Sequence, residues 1–313
     1  MITLEGLPIK IAVLIPCLDE EITITKVVKD FKLALPSADI YVYDNNSTDS
    51  TFIKAKDAGA IVKKEMQQGK GNVIRSMFRE VEADIYILVD GDDTYPANIS
   101  NDLLQPIINK TADMVVGDRI SRGDYDLTND RNLHSFGNKF ISSVINLFFK
   151  TKLRDIMSGY RVFSKKFVKT IPIHSHGFEV ETEITLHCLD KNIKIQEIPI
   201  EYKSRPEGSY SKLNTYSDGF TILKTIMWLI KDFKPILFFS FISLLFFIAT
   251  LIIGLPVINE FIELGYIQIL PSAILATGLA MISVFTLLAG IILDSLSTNQ
   301  RDQFQHYYTN YKG

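Results

Sequence analysis

The chain is predicted to be an α/β protein with a mostly parallel sheet, followed by a transmembrane helical hairpin. Three observations predict this. Short apolar runs alternate with stretches of helical spacing, one such run stops abruptly at Asp90, Gly91, Asp92 and Asp93, and the last third holds two long uncharged runs. Alternation of this kind builds βαβ units.

In chain order, residues 11–15 read as a strand and 21–35 as a helix. A strand at 40–43 and helices at about 49–58 and 72–82 follow. The run at 85–89 is apolar at every position, as in a strand covered on both faces. Residues 114–116 make another strand, ending in Gly117, Asp118 and Arg119. No repeat or low-complexity segment interrupts the pattern.

The carboxylates after 85–89 fall at the carboxyl end of a strand, where open α/β sheets bind ligands. Like charges this close require a cation or basic groups, and oxygen-only ligands on a short loop suit Mg²⁺ or Mn²⁺. A solvated acidic turn is the plain alternative. Two other strand ends share this edge: Pro16, Cys17, Leu18, Asp19, Glu20 and Glu21, and then Asp44, Asn45, Asn46, Ser47, Thr48 and Asp49. Ser47 or Thr48 can cap the next helix. Asp44 precedes that cap, and its carboxylate can accept from a nucleobase N–H. Glu183 and His187 stand four apart on a helical stretch, a spacing that metal ligands use, with a structural or sugar-hydroxyl role competing. His174 and His176 flank Ser175 nearby.

Residues 235–255 and 267–293 contain no charged side chain, and about 20 apolar residues span a bilayer. A buried hairpin in a soluble core is the competing reading. The connection at 256–266 carries Glu260 and Glu263 but no Lys or Arg, whereas Lys224, Lys231 and Lys234 precede the first run. The positive-inside rule then places the large domain and the tail in the cytoplasm. The expected division is 1–212 catalytic, 213–234 a juxtamembrane amphipathic helix, 235–293 two spans and 294–313 a tail. A second amphipathic stretch, Phe136, Phe140, Ile141, Val144, Ile145 and Phe148, can pack on the sheet or lie on the membrane. Tyr216, Phe220, Leu223, Met227 and Ile230 form the juxtamembrane stripe.

A net charge of −3 gives no nucleic-acid footprint. Cys17 and Cys188 are the only cysteines, so no disulfide framework is expected. The first residues lack the basic start and long apolar core of a signal peptide.

Together, Pro16 to Glu20, Asp44 to Asp49, Asp90-Gly91-Asp92 and the later basic clusters resemble glycosyltransferase family 2, and within it the polyisoprenyl-phosphate glycosyltransferases that include dolichol-phosphate mannose synthase. The resemblance covers roughly 9–230 and the membrane hairpin. It implies a GT-A fold, Rossmann-like, binding a nucleotide-sugar. Pro16 and Glu20 would lie beside the nucleoside, and Asp44 and Asn45 would meet the base. Asp92 would hold Mg²⁺ or Mn²⁺ with support from Asp90, and Arg119 would contact the donor diphosphate. Arg131, Arg205 and Lys212 would bind the acceptor phosphate, with Arg205 and Lys212 set in Arg205-Pro206-Glu207-Gly208-Ser209-Tyr210-Ser211-Lys212-Leu213. Asp155 and Ser158-Gly159-Tyr160-Arg161 would shape the sugar pocket. The chain departs from the family at Asn45, where many members have Asp, and at Thr94, where the mannose synthases carry a metal-binding Gln.

The activity so implied is inverting transfer from a UDP-sugar, GlcNAc or glucose foremost, to undecaprenyl phosphate for cell-envelope glycosylation, with GDP-mannose as the alternative donor. The expected partners are a nucleotide-sugar, a polyisoprenyl phosphate and the membrane, and a homo-oligomer through the hairpin is compatible with the sequence. A processive synthase would carry Gln-x-x-Arg-Trp, and the single tryptophan, Trp228, lacks that context. Transfer to diacylglycerol would require a base, and an inactive membrane scaffold would not require these strand ends.

Overall fold

The computed structural model describes residues 3–4, 7–122, 132–210, 228 and 231–311. Two units divide the chain, one from Met1–Ile222 with Tyr308–Gly313 and the other Leu223–Tyr307.

The first unit is built on one seven-stranded sheet. The chain enters at β1 (Ile11–Cys17), every residue of which is buried, and continues through α1 (Ile24–Ala34), β2 (Asp39–Asp44) and α2 (Thr51–Asp57). It then forms β3 (Ile61–Lys64), α3 (Lys70–Glu80), β4 (Ile85–Leu88), α4 (Ser100–Ile108) and β5 (Met114–Asp118). After α5 (Asn132–Phe149) come β6 (Arg161–Ser164), α6 (Lys165–Thr170), α7 (Val180–Asp190) and β7 (Ile195–Pro199). Spatially the strands run β3-β2-β1-β4-β6-β5-β7. All pairings are parallel except those of β6, which runs antiparallel to both neighbours.

That reversed strand matters for the site. Arg161, the first residue of β6, lies opposite Leu88 and Val116, so the chain enters β6 from the edge where β4 and β5 end. Residues 155–160 are thereby delivered to the same edge as Asp90 and Asp118.

The core lies between the sheet and its helices. Ile11, Val13, Ile15, Ile85 and Ile87 pack with Val28 and Phe31 of α1 and Leu103 and Leu104 of α4. Each fully buried aliphatic side chain of this kind contributes roughly 1.5–3 kcal/mol relative to exposure. β3 is an exposed edge strand, and its apolar signal is correspondingly short. Within α5, Ile141 and Ile145 are buried, and Asn146 exchanges hydrogen bonds with the Leu153 backbone at 2.8 and 3.0 Å. The described half of this amphipathic helix therefore packs on its own unit. The juxtamembrane stripe from Tyr216 to Ile230 lies outside the described residues.

The second unit contains α8 (Pro235–Leu264) and all but the last three residues of α9 (Leu270–Asn310), both helices long and apolar enough to cross a membrane. Ser243 and Ser283 hydroxyls each donate to the other residue's carbonyl, at 2.8 and 2.9 Å, tying the two helices together. The connection is shorter than expected. Helix α8 continues through Pro256 and ends at Gly265, which takes the left-handed conformation that closes many helices. Glu260 and Glu263 therefore sit on its last turns. Likewise α9 runs on without a break through the expected tail to Asn310.

Candidate active site

The site begins with Asp92. Its carboxylate is 3 % exposed and is fixed from one side by Thr94, whose hydroxyl and amide both donate to Oδ1, at 2.6 and 3.2 Å. Thr94, placed where a Gln ligand was sought, thus orients Asp92. The other oxygen, Oδ2, meets the Arg205 guanidinium at 2.5 Å. Burial, with Asp90 beside it, holds the Asp92 carboxyl above the usual carboxylate range despite the opposing pull of Arg205. Asp93, the third carboxylate of the run, turns away into an ion pair with Lys26 at 2.6 Å.

Asp90 receives the Lys70 ammonium at 2.5 Å, and the same ammonium donates to Glu181 at 2.5 Å. Burial alone would lower the Lys70 pKa, and the two carboxylates reverse that and raise it. Gly159 faces the Asp90 carboxylate, where a β carbon would collide with Oδ2 and the carboxyl carbon and crowd Oδ1. Gly159→Ala is therefore expected to push Asp90 aside and lower turnover by about tenfold, with little change in melting temperature. Steady-state turnover alongside thermal melting checks this, and unchanged turnover would remove Gly159 from the account.

Asp44 closes β2, is 1 % exposed, and its Oδ1 has no hydrogen-bond partner among the described residues. A buried acceptor without a donor is costly in a resting fold and marks a place for a ligand N–H. Pro16, on β1, pairs in register with Tyr43, next to Asp44. Glu20, just beyond β1, accepts from Thr23 at 3.2 Å and from Arg205 at 3.2 Å.

Several predicted residues are engaged by protein partners in the resting structure. Asn45 was expected at the base, but its amide donates to the Glu65 and Gln67 carbonyls and accepts from the Gly69 amide at 2.7 Å. It anchors the loop leading into α3. Arg205, expected at the acceptor phosphate, is paired here with Asp92 and Glu20, two carboxylates expected on the donor side. Arg119 was expected on a diphosphate; its fork closes on buried Asp155, with contacts at 2.7 and 2.9 Å, and its face lies over the Tyr202 ring. Arg161 is wholly buried and donates to the carbonyls of Ser158 and Ile156, which fixes the loop that carries Gly159. Arg131 and Lys212 lie outside the described residues.

His174, Glu183 and His187 also gather, with donor atoms within 4.8 Å of one another. Lys191 donates to His187 Nδ1 at 2.9 Å, which leaves the ring proton on Nε2 rather than a lone pair for a metal. Glu183 accepts from the backbone amides of His174 and Ser175 at 2.9 and 2.8 Å, so the group works as a latch between α7 and the preceding loop. Although burial opposes it, these donors with His187 pull the Glu183 pKa from 4.5 to about 2. A depressed carboxyl stabilises the fold above its unfolded pKa and loses that contribution as pH falls toward the folded value. Roughly 2–3 kcal/mol should thus disappear between pH 4.5 and 2. A Glu183→Ala variant should be less stable at neutral pH and show a shallower acid loss in denaturant titrations, and parallel acid profiles for the two proteins would refute the latch.

Of the residues that build the edge, Lys70 and Glu181 were not foreseen as a pair. The available signal was a Lys between two glycines at the start of a helix. The donor set of Asp90 and Asp92 is oxygen-only, anionic and partly buried, which fits a hard divalent cation.

Residues 12–171 match the family described as glycosyl transferase family 2. Glycosyltransferase AglJ from Haloferax volcanii is 28 % identical over 95 % of this chain and 97 % of its own length. The UDP-N-acetylglucosamine–dolichyl-phosphate N-acetylglucosaminyltransferase of Methanococcus voltae is 26 % identical over 45 % of this chain and 57 % of its own. Among solved structures, glucosyl-3-phosphoglycerate synthase from Mycobacterium tuberculosis, in complex with Mn²⁺, UDP and phosphoglyceric acid, superposes with a TM-score of 0.58 at 17 % identity, covering 71 % of this chain and 78 % of that one. That likeness carries the GT-A-like fold. With the family match spanning half of the chain and centred on the strand ends that build the site, this chain belongs to glycosyl transferase family 2 and is a glycosyltransferase.

Proposed function

We propose that the protein transfers a sugar, GlcNAc or glucose, from a UDP-sugar to a polyisoprenyl phosphate, with inversion and with Mg²⁺ or Mn²⁺. The product would be a lipid-monophosphate sugar for cell-envelope glycosylation, made at the cytoplasmic face by a unit anchored through α8 and α9. The observation that carries the reading is the buried Asp44 Oδ1, without a hydrogen-bond partner among the described residues, on the same sheet edge as Asp90 and Asp92. That edge offers an acceptor for a base N–H and an anionic pair for a cation on the diphosphate. The Methanococcus voltae relative is named for UDP-N-acetylglucosamine and dolichyl phosphate, and two helices of membrane length follow the site-bearing unit in this chain.

The chemistry follows from these residues. A lipid monophosphate has a second pKa of about 6 and is largely dianionic at neutral pH, so its oxygen needs no general base. Asp92, oriented by Thr94, and Asp90 would hold the cation, which when bound supplies Lewis-acid stabilisation of the departing diphosphate. Asp44 selects and orients the base. Asp90, kept in place by Lys70 and Gly159, would share that cation with Asp92 or orient the donor sugar. Arg131, Arg205 and Lys212 would bring in the acceptor phosphate, offsetting repulsion between two anions. Positioning and electrostatics then carry the rate.

The test uses the full chain in detergent with undecaprenyl phosphate, Mn²⁺ or Mg²⁺, and UDP-GlcNAc, UDP-glucose or GDP-mannose separately. Mass spectrometry should find a lipid-monophosphate sugar from one UDP-sugar. A product from GDP-mannose alone would reassign the donor, and no lipid product from any donor would sink the acceptor assignment.

A further inference from the structure

Glu197 sits on β7, an edge strand of the sheet, where a glutamate would ordinarily stay in water. Here it is half-buried and turned onto backbone. The Arg154 amide is shared between both of its carboxylate oxygens, at 2.9 and 3.0 Å, and the Asp155 amide donates to Oε1 at 2.9 Å. Two successive N–H groups aimed at one carboxylate are a backbone anion seat. Burial, with the Asp118 and Asp155 carboxylates nearby, raises the Glu197 pKa, and the two amides only partly oppose it. The fold thus keeps a carboxylate where its charge is disfavoured, and the reason lies in what those amides belong to.

Asp155, 1 % exposed, is the residue that grips Arg119. It accepts from Arg119 Nε at 2.7 Å, from Nη2 at 2.9 Å and from the Arg119 backbone amide at 3.1 Å. The Tyr202 ring, just beyond β7, has its centre 5.3 Å from the guanidinium carbon. The strand that supplies Glu197 therefore also leads to the ring that covers Arg119. Asp118 accepts from the Ile120 and Ser121 amides at 2.8 and 3.1 Å, which fixes the turn carrying Arg119. The Arg154 guanidinium reaches the same turn, donating to the Ser121 hydroxyl at 2.6 Å. Residues 156–159 are held by other groups: Arg161 donates to the Ile156 and Ser158 carbonyls, and the Tyr95 hydroxyl accepts from the Gly159 amide at 3.0 Å. Loss of the Glu197 contacts is thus felt at Asp155 rather than at Gly159.

An arginine already gripped along one edge of its fork loses little side-chain freedom when an anion arrives, and its plane is set in advance. Building on the UDP-sugar donor proposed above, with Arg119 at its diphosphate, we infer that Glu197 is a positioning residue for donor binding. By pinning the 154–155 backbone it sets Asp155, and through Asp155 the Arg119 guanidinium, to receive the diphosphate.

The test is titration of the full-length protein in Mn²⁺ with UDP and with uridine, and in parallel with GDP and guanosine. Glu197→Ala removes the acceptor, Glu197→Gln keeps one acceptor oxygen, and Arg119→Lys keeps the charge without the fork. The double variant Glu197→Ala with Arg119→Lys closes a mutant cycle. Glu197→Ala is expected to weaken UDP about tenfold and uridine by no more than about twofold. Glu197→Gln should recover part of that loss. The double variant should bind UDP little worse than Arg119→Lys alone, since both changes act on one contact. Unchanged UDP affinity in Glu197→Ala overturns the inference. So does a loss shared equally by UDP and uridine, the mark of a residue that only supports the fold, and so does a double variant whose loss is the product of the two single losses. A protein that shows the expected pattern but makes no lipid product overturns the acceptor assignment and leaves the role of Glu197 supported. The same pattern with GDP in place of UDP reassigns the donor and likewise supports Glu197. A wild type that binds neither nucleoside diphosphate overturns both readings.

Discussion

Asp92→Asn is expected to lower sugar transfer by on the order of 10³-fold without unfolding the protein. Thr94 fixes Oδ1 with two hydrogen bonds, so the oxygen directed into the site is Oδ2. In the variant Oδ1 can still accept from Thr94, and the amide NH₂ then replaces Oδ2. A donor now faces the Arg205 guanidinium in place of an acceptor, and the charge that would hold a divalent cation is gone. Stability should move the other way. Burial and Asp90 already hold the Asp92 carboxyl above the usual range, so its charge works against the folded state. Neutralising it should leave the melting temperature unchanged or slightly raised, the familiar opposition of function and stability at a site. Mn²⁺ binding, followed by the loss of the free-ion EPR signal, should disappear together with the lipid product. Transfer within fivefold of wild type would show that Asp92 does not hold the metal.

The parts of this architecture that local sequence reveals are those set by local physics. Strands β1 and β4 are buried on every residue, so their apolar runs are unbroken, and the carboxylates after β4 stand out as soon as that run ends. Strands β3, β6 and β7 left no such trace. β3 is an exposed edge, while β6 reads as strand only because it inserts between β4 and β5. The site divides in the same way. Asp44, Asp90 and Asp92 stand out because Asp44 ends a strand and the other two follow directly on one. The task of Asn45 is not, because its amide bonds depend on how residues 65–69 fold back. Lys70 meets Glu181 across more than a hundred positions, and two glycines were the only sign that another backbone would approach. Arg205 is expected from its motif at the acceptor phosphate, and its pairing with Asp92 and Glu20 depends on how residues 200–210 fold back, which local sequence does not show.

That position of Arg205 yields the second large effect. Its guanidinium meets Asp92 Oδ2 at 2.5 Å and Glu20 at 3.2 Å, and it also donates to the Ser209 hydroxyl and the Tyr210 carbonyl at 3.4 and 3.3 Å. It therefore joins the segment that leads toward Lys212 to the carboxylates at the ends of β1 and β4. Asp92 Oδ2 is also the oxygen a divalent cation would use, so guanidinium and metal draw on the same lone pairs. Arg205→Ala removes the competitor and leaves Asp92 and Glu20 without their paired cation. Mn²⁺ should then bind about tenfold more tightly. Transfer should nevertheless fall by on the order of 10²-fold, because a cation that helps to bring two anionic substrates together has been lost. Arg205→Lys keeps the charge without the fork that spans Asp92 and Glu20, and should fall between the two. Opposite movements of metal affinity and turnover are the signature of a residue that trades a carboxylate partner for a substrate. If both fell together, Arg205 would be a strut of the metal site, and the acceptor phosphate would have to be met by Arg131 and Lys212 alone.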